Sequence, residues 1–379
     1  SIPGSGSPLL LATTAAAADA GYVIPKSLRF NSGDSSNLSK TFATAGNRRT
    51  WTWSAWVKRG PSSSTQTLFK AGETYIQYYS STNTLYTNLR GGATNYFINY
   101  ANVFRDPSAW YHIVVAVDTT QATSSNRQKV YVNGVQLTDA GSLGLNYPAQ
   151  NHETGVNNNA IHYIGGTNYF DGLMADVQFV DGLALAPTDF GETRSSDGVW
   201  VPKEFEVTGT VYNSFVSNQY SLTGSSSLFD GSTSTVAQDW NGVYNTTANP
   251  PYRVEFTPPT PISYSSQVEV YSTAGPQSPY SNKVYIDTGS GYGSGVSVVQ
   301  NDWVTVASGS GSFSKLKVEG QQNGTNMAAI RVDGTILTDG NGYGRNGFHL
   351  NFSDSSTNEA LGFDSAPTTP DPDPKKGMD

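Results

Sequence analysis

Trp51-Thr52-Trp53-Ser54-Ala55-Trp56-Val57 is the stretch on which the fold assignment turns. Trp51, Trp53, Ala55 and Val57 share one face of an extended strand, and Thr52, Ser54, Trp56 and Lys58 share the other. Outward from it, strands are predicted at 67–71, 74–80, 85–89 and 96–100. Residues 110–117 form a nearly continuous apolar run, the pattern of a central strand covered on both faces. A strand at 129–132 runs into Asn133-Gly134, a type I′ hairpin signal, and 135–137 returns. Segments 160–165 and 173–180 complete the set. Short strands at close spacing with polar turns predict a two-sheet jelly roll.

Composition agrees. The chain has 379 residues, enough for two domains and tails. Charged residues make up 14%, against ~25% in ordinary globular domains, while aromatics reach 12% and there are 39 glycines and 19 prolines. That mixture excludes a helix bundle and a disordered chain. No stretch nears the ~18 consecutive apolar residues of a membrane span, so no such span is expected. The absence of cysteine excludes disulfides, thiolate metal sites and cysteine nucleophiles. A net charge of −8 argues against nucleic acid as a partner.

The first 25 residues read differently. Pro8, Leu9–Leu11 and an Ala/Thr run to Ala20 form a small-residue apolar arm, with a short helix expected from Thr13 to Asp19. The first basic residue is Lys26, so the charged start of a secretory signal is missing. Such an arm is expected to pack on its own domain or on a neighbouring subunit. The expected organisation is an anchoring arm at 1–25, a jelly roll at 26–206, a second β-sandwich at 207–341 and a Pro/Asp-rich tail at 363–379. Strands of the second unit are expected at 252–256, 267–271, 283–286, 296–299, 303–306, 316–319 and 328–332.

Four phrases carry a family resemblance: Trp51 to Val57, Trp110-Tyr-His-Ile-Val-Val115, Lys129-Val-Tyr-Val-Asn-Gly134 and Phe170-Asp-Gly-Leu-Met-Ala-Asp-Val-Gln-Phe179. In this order they resemble laminin-G-like, concanavalin A-like domains. The wider stretches Ser27-Leu-Arg-Phe-Asn31, Gly46-Asn-Arg-Arg-Thr-Trp-Thr-Trp53, Trp56-Val-Lys-Arg59 and Asp197-Gly-Val-Trp-Val-Pro-Lys203 resemble virion proteins of marine tailed phages. In those proteins, words similar to Tyr343-Gly-Arg-Asn-Gly-Phe-His-Leu-Asn-Phe-Ser-Asp354 come closely after the Trp-Val-Pro-Lys phrase. Here 139 residues intervene. The second unit is therefore expected to be an insertion, with 342–362 completing the first and 348–352 returning as a strand. Phe229-Asp230-Gly231 with its trailing Ser/Thr run resembles galactose-binding-like jelly rolls. The resemblance makes Asp230 a candidate ligand for a structural calcium, beside the plain reading of an Asp-Gly turn.

The resemblance implies a non-enzymatic virion protein: a capsid decoration, tail fibre or other appendage. Its expected partners are other virion proteins or copies of itself, joined through the arm into a homo-oligomer, and host-surface glycans. The alternative is a secreted bacterial carbohydrate-binding protein or a glycan hydrolase fragment. Catalytic signals are weak. His112 falls in a core strand, His152-Glu153 lacks a third ligand nearby in sequence, and Glu204-x-Glu206 sits at a domain boundary rather than along a core strand. For sugar binding, the aromatic candidates are Tyr75, Tyr78, Tyr79, Tyr86, Tyr96 and Tyr100, with Tyr244, Tyr280 and Tyr292 in turns, weighed against plain cross-strand packing. The favoured ligand loop is Trp240, Asn241, Tyr244 and Asn245. Residues 26–60 carry seven bases against one acid, whereas 341–379 carry six acids against three bases. Ends of opposite sign are expected to steer assembly.

Overall fold

The computed structural model describes residues 21–43, 45–60, 64–104, 106–220, 222–223, 228–239, 251–273, 282–320, 324–340 and 342–366. The expected helix at Thr13–Asp19 lies outside them. The fold is all-β, with no α-helix among the described residues, and it is consistent with a jelly-roll sandwich.

Two seven-stranded antiparallel sheets build the first sandwich. One, the tryptophan sheet, runs Leu28–Phe30, Gly172–Asp181, Thr50–Arg59, Tyr111–Asp118, Gln128–Val132 and Val135–Gln136 in spatial order. The other, the tyrosine sheet, runs Ala140–Leu145, Phe97–Val103, Thr84–Leu89, Thr74–Tyr79, Gln66–Ala71, Ile161–Ile164 and Leu38–Thr41. The parity expected at 51–57 holds. Trp51, Trp53, Ala55 and Val57 point between the sheets, where Trp53 stacks on Phe69 at 6.0 Å and Phe179 packs against Trp51 at 6.3 Å. Burial of these rings is the main force that holds the sheets together. Asn133 and Gly134 have φ of 48° and 80°, as a type I′ turn requires. A Cβ at position 134 would also strike the ring of Trp200.

The seventh strand of the tryptophan sheet, Phe348–Leu350, comes from far along the chain. It pairs with Val177–Phe179, while Leu28–Phe30 pairs with Gly172–Met174 on the same edge. Between these two partners the long strand breaks register at Asp176, whose φ is +49°. The bulge lets one edge accept two short strands in succession.

A second hydrophobic core lies within residues 212–337, around Phe215, Phe229, Val254, Phe256, Leu316 and Ile330. Five-stranded and four-stranded antiparallel sheets enclose it, joined by a three-stranded and a two-stranded piece. The two cores meet through polar contacts. Asn213 donates from its amide to the carbonyl of Gly182 at 2.7 Å and from its backbone N–H to Asp339 at 3.0 Å. Arg345 lies over the Phe215 ring at 4.9 Å. Asp181, wholly buried, accepts from the backbone of Asn47 and Asn346 and from the amide of Asn157. Gly344, at φ +74°, lies against its backbone where a side chain would clash.

Candidate functional site

Alternation along the tyrosine sheet sends a set of rings outward. In Thr74–Tyr79, residues Thr74, Ile76 and Tyr78 face the core, leaving Tyr75, Gln77 and Tyr79 outside. Register then aligns them across strands. One row reads Tyr163, Lys70, Tyr75, Asn88, Phe97, and the next reads Thr67, Gln77, Tyr86, Asn99. Tyr86 is the hub. Its ring centroid lies 5.9 Å from Tyr75, 5.7 Å from Tyr79 and 6.2 Å from Phe97. All four rings are half-buried. Burial, and next the neighbouring Tyr75, raises the Tyr86 phenol well above its ordinary value, so it is a neutral hydroxyl.

Amides fill the spaces between the rings. Gln77 donates to the Thr67 hydroxyl at 3.0 Å, Asn99 to the Thr84 hydroxyl at 2.8 Å and Asn88 to the Tyr75 oxygen at 3.3 Å. The Asn88 and Asn99 side-chain oxygens are buried and accept from no donor among the described residues. The face therefore offers aromatic surface, tyrosine hydroxyls and the Lys70 ammonium, with the Asn88 and Asn99 oxygens closed beneath it. Alternating faces sort the tyrosine candidates. Tyr75, Tyr79 and Tyr86 belong to this outward surface. Tyr100 is a core residue, and Tyr78 is buried beneath Arg59, its hydroxyl within hydrogen-bond reach of the Asn83 side-chain oxygen and the carbonyl of Phe104. Tyr96 packs edge-on against His152. In the second unit, Tyr292 donates to Glu255 at 2.9 Å and lies under Lys317. Trp240, Asn241, Tyr244 and Asn245, as well as Tyr280, lie outside the described residues.

Asp230 closes a local turn. Its carboxylate accepts from the Ser232 N–H at 2.8 Å and the Thr235 hydroxyl at 2.5 Å. Among the described residues no three His, Asp or Glu side chains converge. Calcium takes ~6–8 oxygen ligands. With both oxygens of its one carboxylate engaged by donors of the same turn, this turn does not fit that requirement.

His112, His162 and Glu153, among the groups with catalytic potential, are each tied into the structure. His112 sits between Ser54 and Trp200. The Trp200 indole N–H, which can only donate, points at Nδ1 at 3.0 Å. The proton therefore resides on Nε2 and is donated to Ser54 Oγ at 2.9 Å. A base that activates serine must accept at that atom, so this pair has the wrong polarity for a nucleophile. Burial lowers the His112 pKa to about 4, keeping the ring neutral. His162 is likewise held at about 4 by burial and is closed by the Asn157 N–H and the Ala160 carbonyl. Glu153 is engaged by Arg48 and Arg49 at 2.8 and 3.0 Å. Glu204 and Glu206 are exposed on either side of buried Phe205, which stacks on Phe190 at 5.1 Å.

One group has no counterpart among the sequence-based expectations. Asp176, at the bulge, is 2% exposed, and its carboxylate accepts from Tyr22 at 3.2 Å, Gln178 at 2.8 Å and His349 at 2.5 Å. An aspartate inside the apolar run Leu173–Val180 was the available signal.

Residues 31–189 match the Laminin_G_3 family, described as the concanavalin A-like lectin/glucanases superfamily. This portion is thus similar to laminin G-like, concanavalin A-like lectin domains. Among solved structures, the chain is similar to a native heptameric SAP-like pentraxin from Limulus polyphemus, with 16% identity over 42% of this chain and 77% of that one and a TM-score of 0.31. Mouse laminin α1 domains LG4-5 give 12% identity over 84% and 87%, with a TM-score of 0.30. Trypanosoma rangeli sialidase gives 17% over 37% of this chain, with a TM-score of 0.27, and the chain spans 22% of that enzyme. No curated protein matches the chain.

Proposed function

We propose that this protein is a non-enzymatic virion component, a capsid decoration, fibre or tail appendage, whose lectin domain holds host-surface glycans on the outward face of the tyrosine sheet. The observation that carries the glycan reading is the half-buried ring cluster around Tyr86. Sugars offer C–H patches to aromatic faces and hydroxyls to polar side chains, and Lys70 stands beside the rings in the same cross-strand row. The inverted polarity of the Ser54–His112 pair supports a binding rather than a hydrolytic role. The virion assignment rests on the phage-like phrases at 27–59 and 197–203. In this reading the second core, 207–341, is an inserted galactose-binding-like sandwich, its loop at Trp240–Asn245 offers a second ligand contact, and arm 1–25 anchors the protein in a homo-oligomer or to other virion proteins.

The test is a glycan array with the full chain, then titration calorimetry on the glycans retained. Tyr86→Ala is expected to lower affinity at least tenfold. Retention of no glycan, or unchanged affinity in Tyr86→Ala, overturns the binding face. Mass spectrometry of purified phage particles tests the location, and absence of the chain from them overturns it. Deletion of residues 1–25 is expected to abolish incorporation while both cores stay folded.

A further inference from the structure

The tyrosine sheet stands apart in charge. The chain as a whole carries 30 acids against 22 bases. Yet none of the seven strands of this sheet contains an aspartate or a glutamate. Their only lysines or arginines are Lys40, on the outermost strand, and Lys70. Lys70 lies within the sheet, directly opposite Tyr75 on one side and Tyr163 on the other. Its chain neighbours Phe69 and Ala71 are fully buried, so Lys70 projects outward in the same row as the two tyrosines. It is half-buried, and among the described residues no carboxylate and no hydrogen-bond acceptor engages its ammonium.

The acids around the sheet leave this charge uncompensated. Glu73, in the turn between Gln66–Ala71 and Thr74–Tyr79, faces Arg90 at 4.0 Å. Glu153 is held by Arg48 and Arg49. Asp139 precedes the far edge strand Ala140–Leu145, four strands away from Lys70. At ~4.8 Å per strand that is ~19 Å, about twice the screening length at physiological salt. The local balance of Lys70, Arg90 and Glu73 is thus one positive charge. A neutral sugar laid on Tyr75 and Tyr86 would strip water from the lysine head and return no charge to it. A sugar that bears an anion on its rim returns one, and forms the stronger, charge-assisted hydrogen bond.

We infer that the glycan taken by the tyrosine sheet is an acidic one, whose carboxylate or sulfate accepts from the Lys70 ammonium while its ring lies on Tyr75 and Tyr86. The inference rests on the binding face proposed above and names the class of sugar that face selects.

Titration calorimetry on the full chain tests it with three matched oligosaccharides ending in galactose, galacturonate or 6-sulfogalactose. The acidic members are expected to bind about tenfold more tightly than the galactose member at low salt. That advantage is expected to shrink as sodium chloride rises, since screening acts on the ion pair alone. The tighter of the two acidic members identifies the anion as carboxylate or sulfate. Lys70→Gln is expected to lower acidic affinity about tenfold and to leave the galactose member unchanged, and Lys70→Arg to keep most of the preference. The side chain lies outside the core, so both variants are expected to keep the parent's thermal midpoint. Equal affinity for all three sugars overturns the acidic assignment and leaves the glycan face standing. So does an acidic preference that persists in Lys70→Gln, or retention of neutral glycans alone on the array. Retention of no glycan at all overturns the face and this inference together.

Discussion

On the tryptophan sheet, the outward side chains of Ser54, Trp56, His112, Val114 and Gln178 are buried beneath segments added to the sandwich. On the tyrosine sheet, the outward Tyr75, Tyr79, Tyr86 and Phe97 keep part of their rings in solvent. Both faces are rich in aromatic and amide groups. The difference between them is cover. Residues 21–27, the hairpin Gly191–Thr193 with Trp200–Pro202, and Tyr343 all lie on the first face, and polar knots such as Tyr22–Asp176–His349 secure them. Comparable side chains therefore act as internal joints on one face and as available surface on the other. Composition alone does not tell a joint from a binding surface.

Substitutions separate the two faces, most sharply at Phe190. It is fully buried against Phe205 on the covered face, and Phe190→Ala is expected to lower unfolding free energy by about 3–5 kcal/mol in urea titrations.

Acid is expected to act next. His112 and His162 are held at about 4 by burial, against 6.5 in the unfolded chain. Their contribution is present above about pH 6.5 and lost as pH falls through 4, by about 3 kcal/mol each. Burial raises Asp181 to about 6 and Asp339 to about 7 from 3.8. Their contribution runs the other way: full below 3.8 and lost as pH rises through those values. Asp339→Asn removes one opposing trend. Relative to the parent, its stability is expected to fall by about 3 kcal/mol between pH 7 and 4. A parallel pH profile would show that Asp339 is not the counterweight.

Smaller effects are expected at the surface. Tyr22→Phe deletes one hydrogen bond to Asp176 and is expected to cost about 1 kcal/mol, with faster amide exchange confined to residues 21–30. Tyr86→Ala on the open face is expected to change stability least, by about 1 kcal/mol or less, while its effect on glycan affinity is large. A loss near that of Phe190→Ala would make Tyr86 a packing residue and erase the contrast between the faces.

Much of the frame was readable from alternation. The parity at 51–57, the hairpin at Asn133-Gly134 and the strands around 252–256 and 348–350 arise from period-two patterns and turn chemistry, which are local properties. Parity also distinguishes Tyr78 from Tyr75 and Tyr79, since Ile76 marks the core face. The strands Gly191–Thr193, Trp200–Pro202 and Ala237–Asp239 are too short to show a period, and their pairing is set by distant partners. The Asp176 bulge shifts the phase within an otherwise regular strand, so its knot with Tyr22 and His349 depends on contacts 154 and 173 residues away.

The shared edge at Asp176 has a bearing on biogenesis. A ribosome delivers Leu28–Phe30 early and Phe348–Leu350 more than three hundred residues later. Until then the rim at Val177–Phe179 stays open, an invitation to pair with other nascent chains. A product truncated before Phe348 therefore leaves that rim unpaired and open to association with other chains.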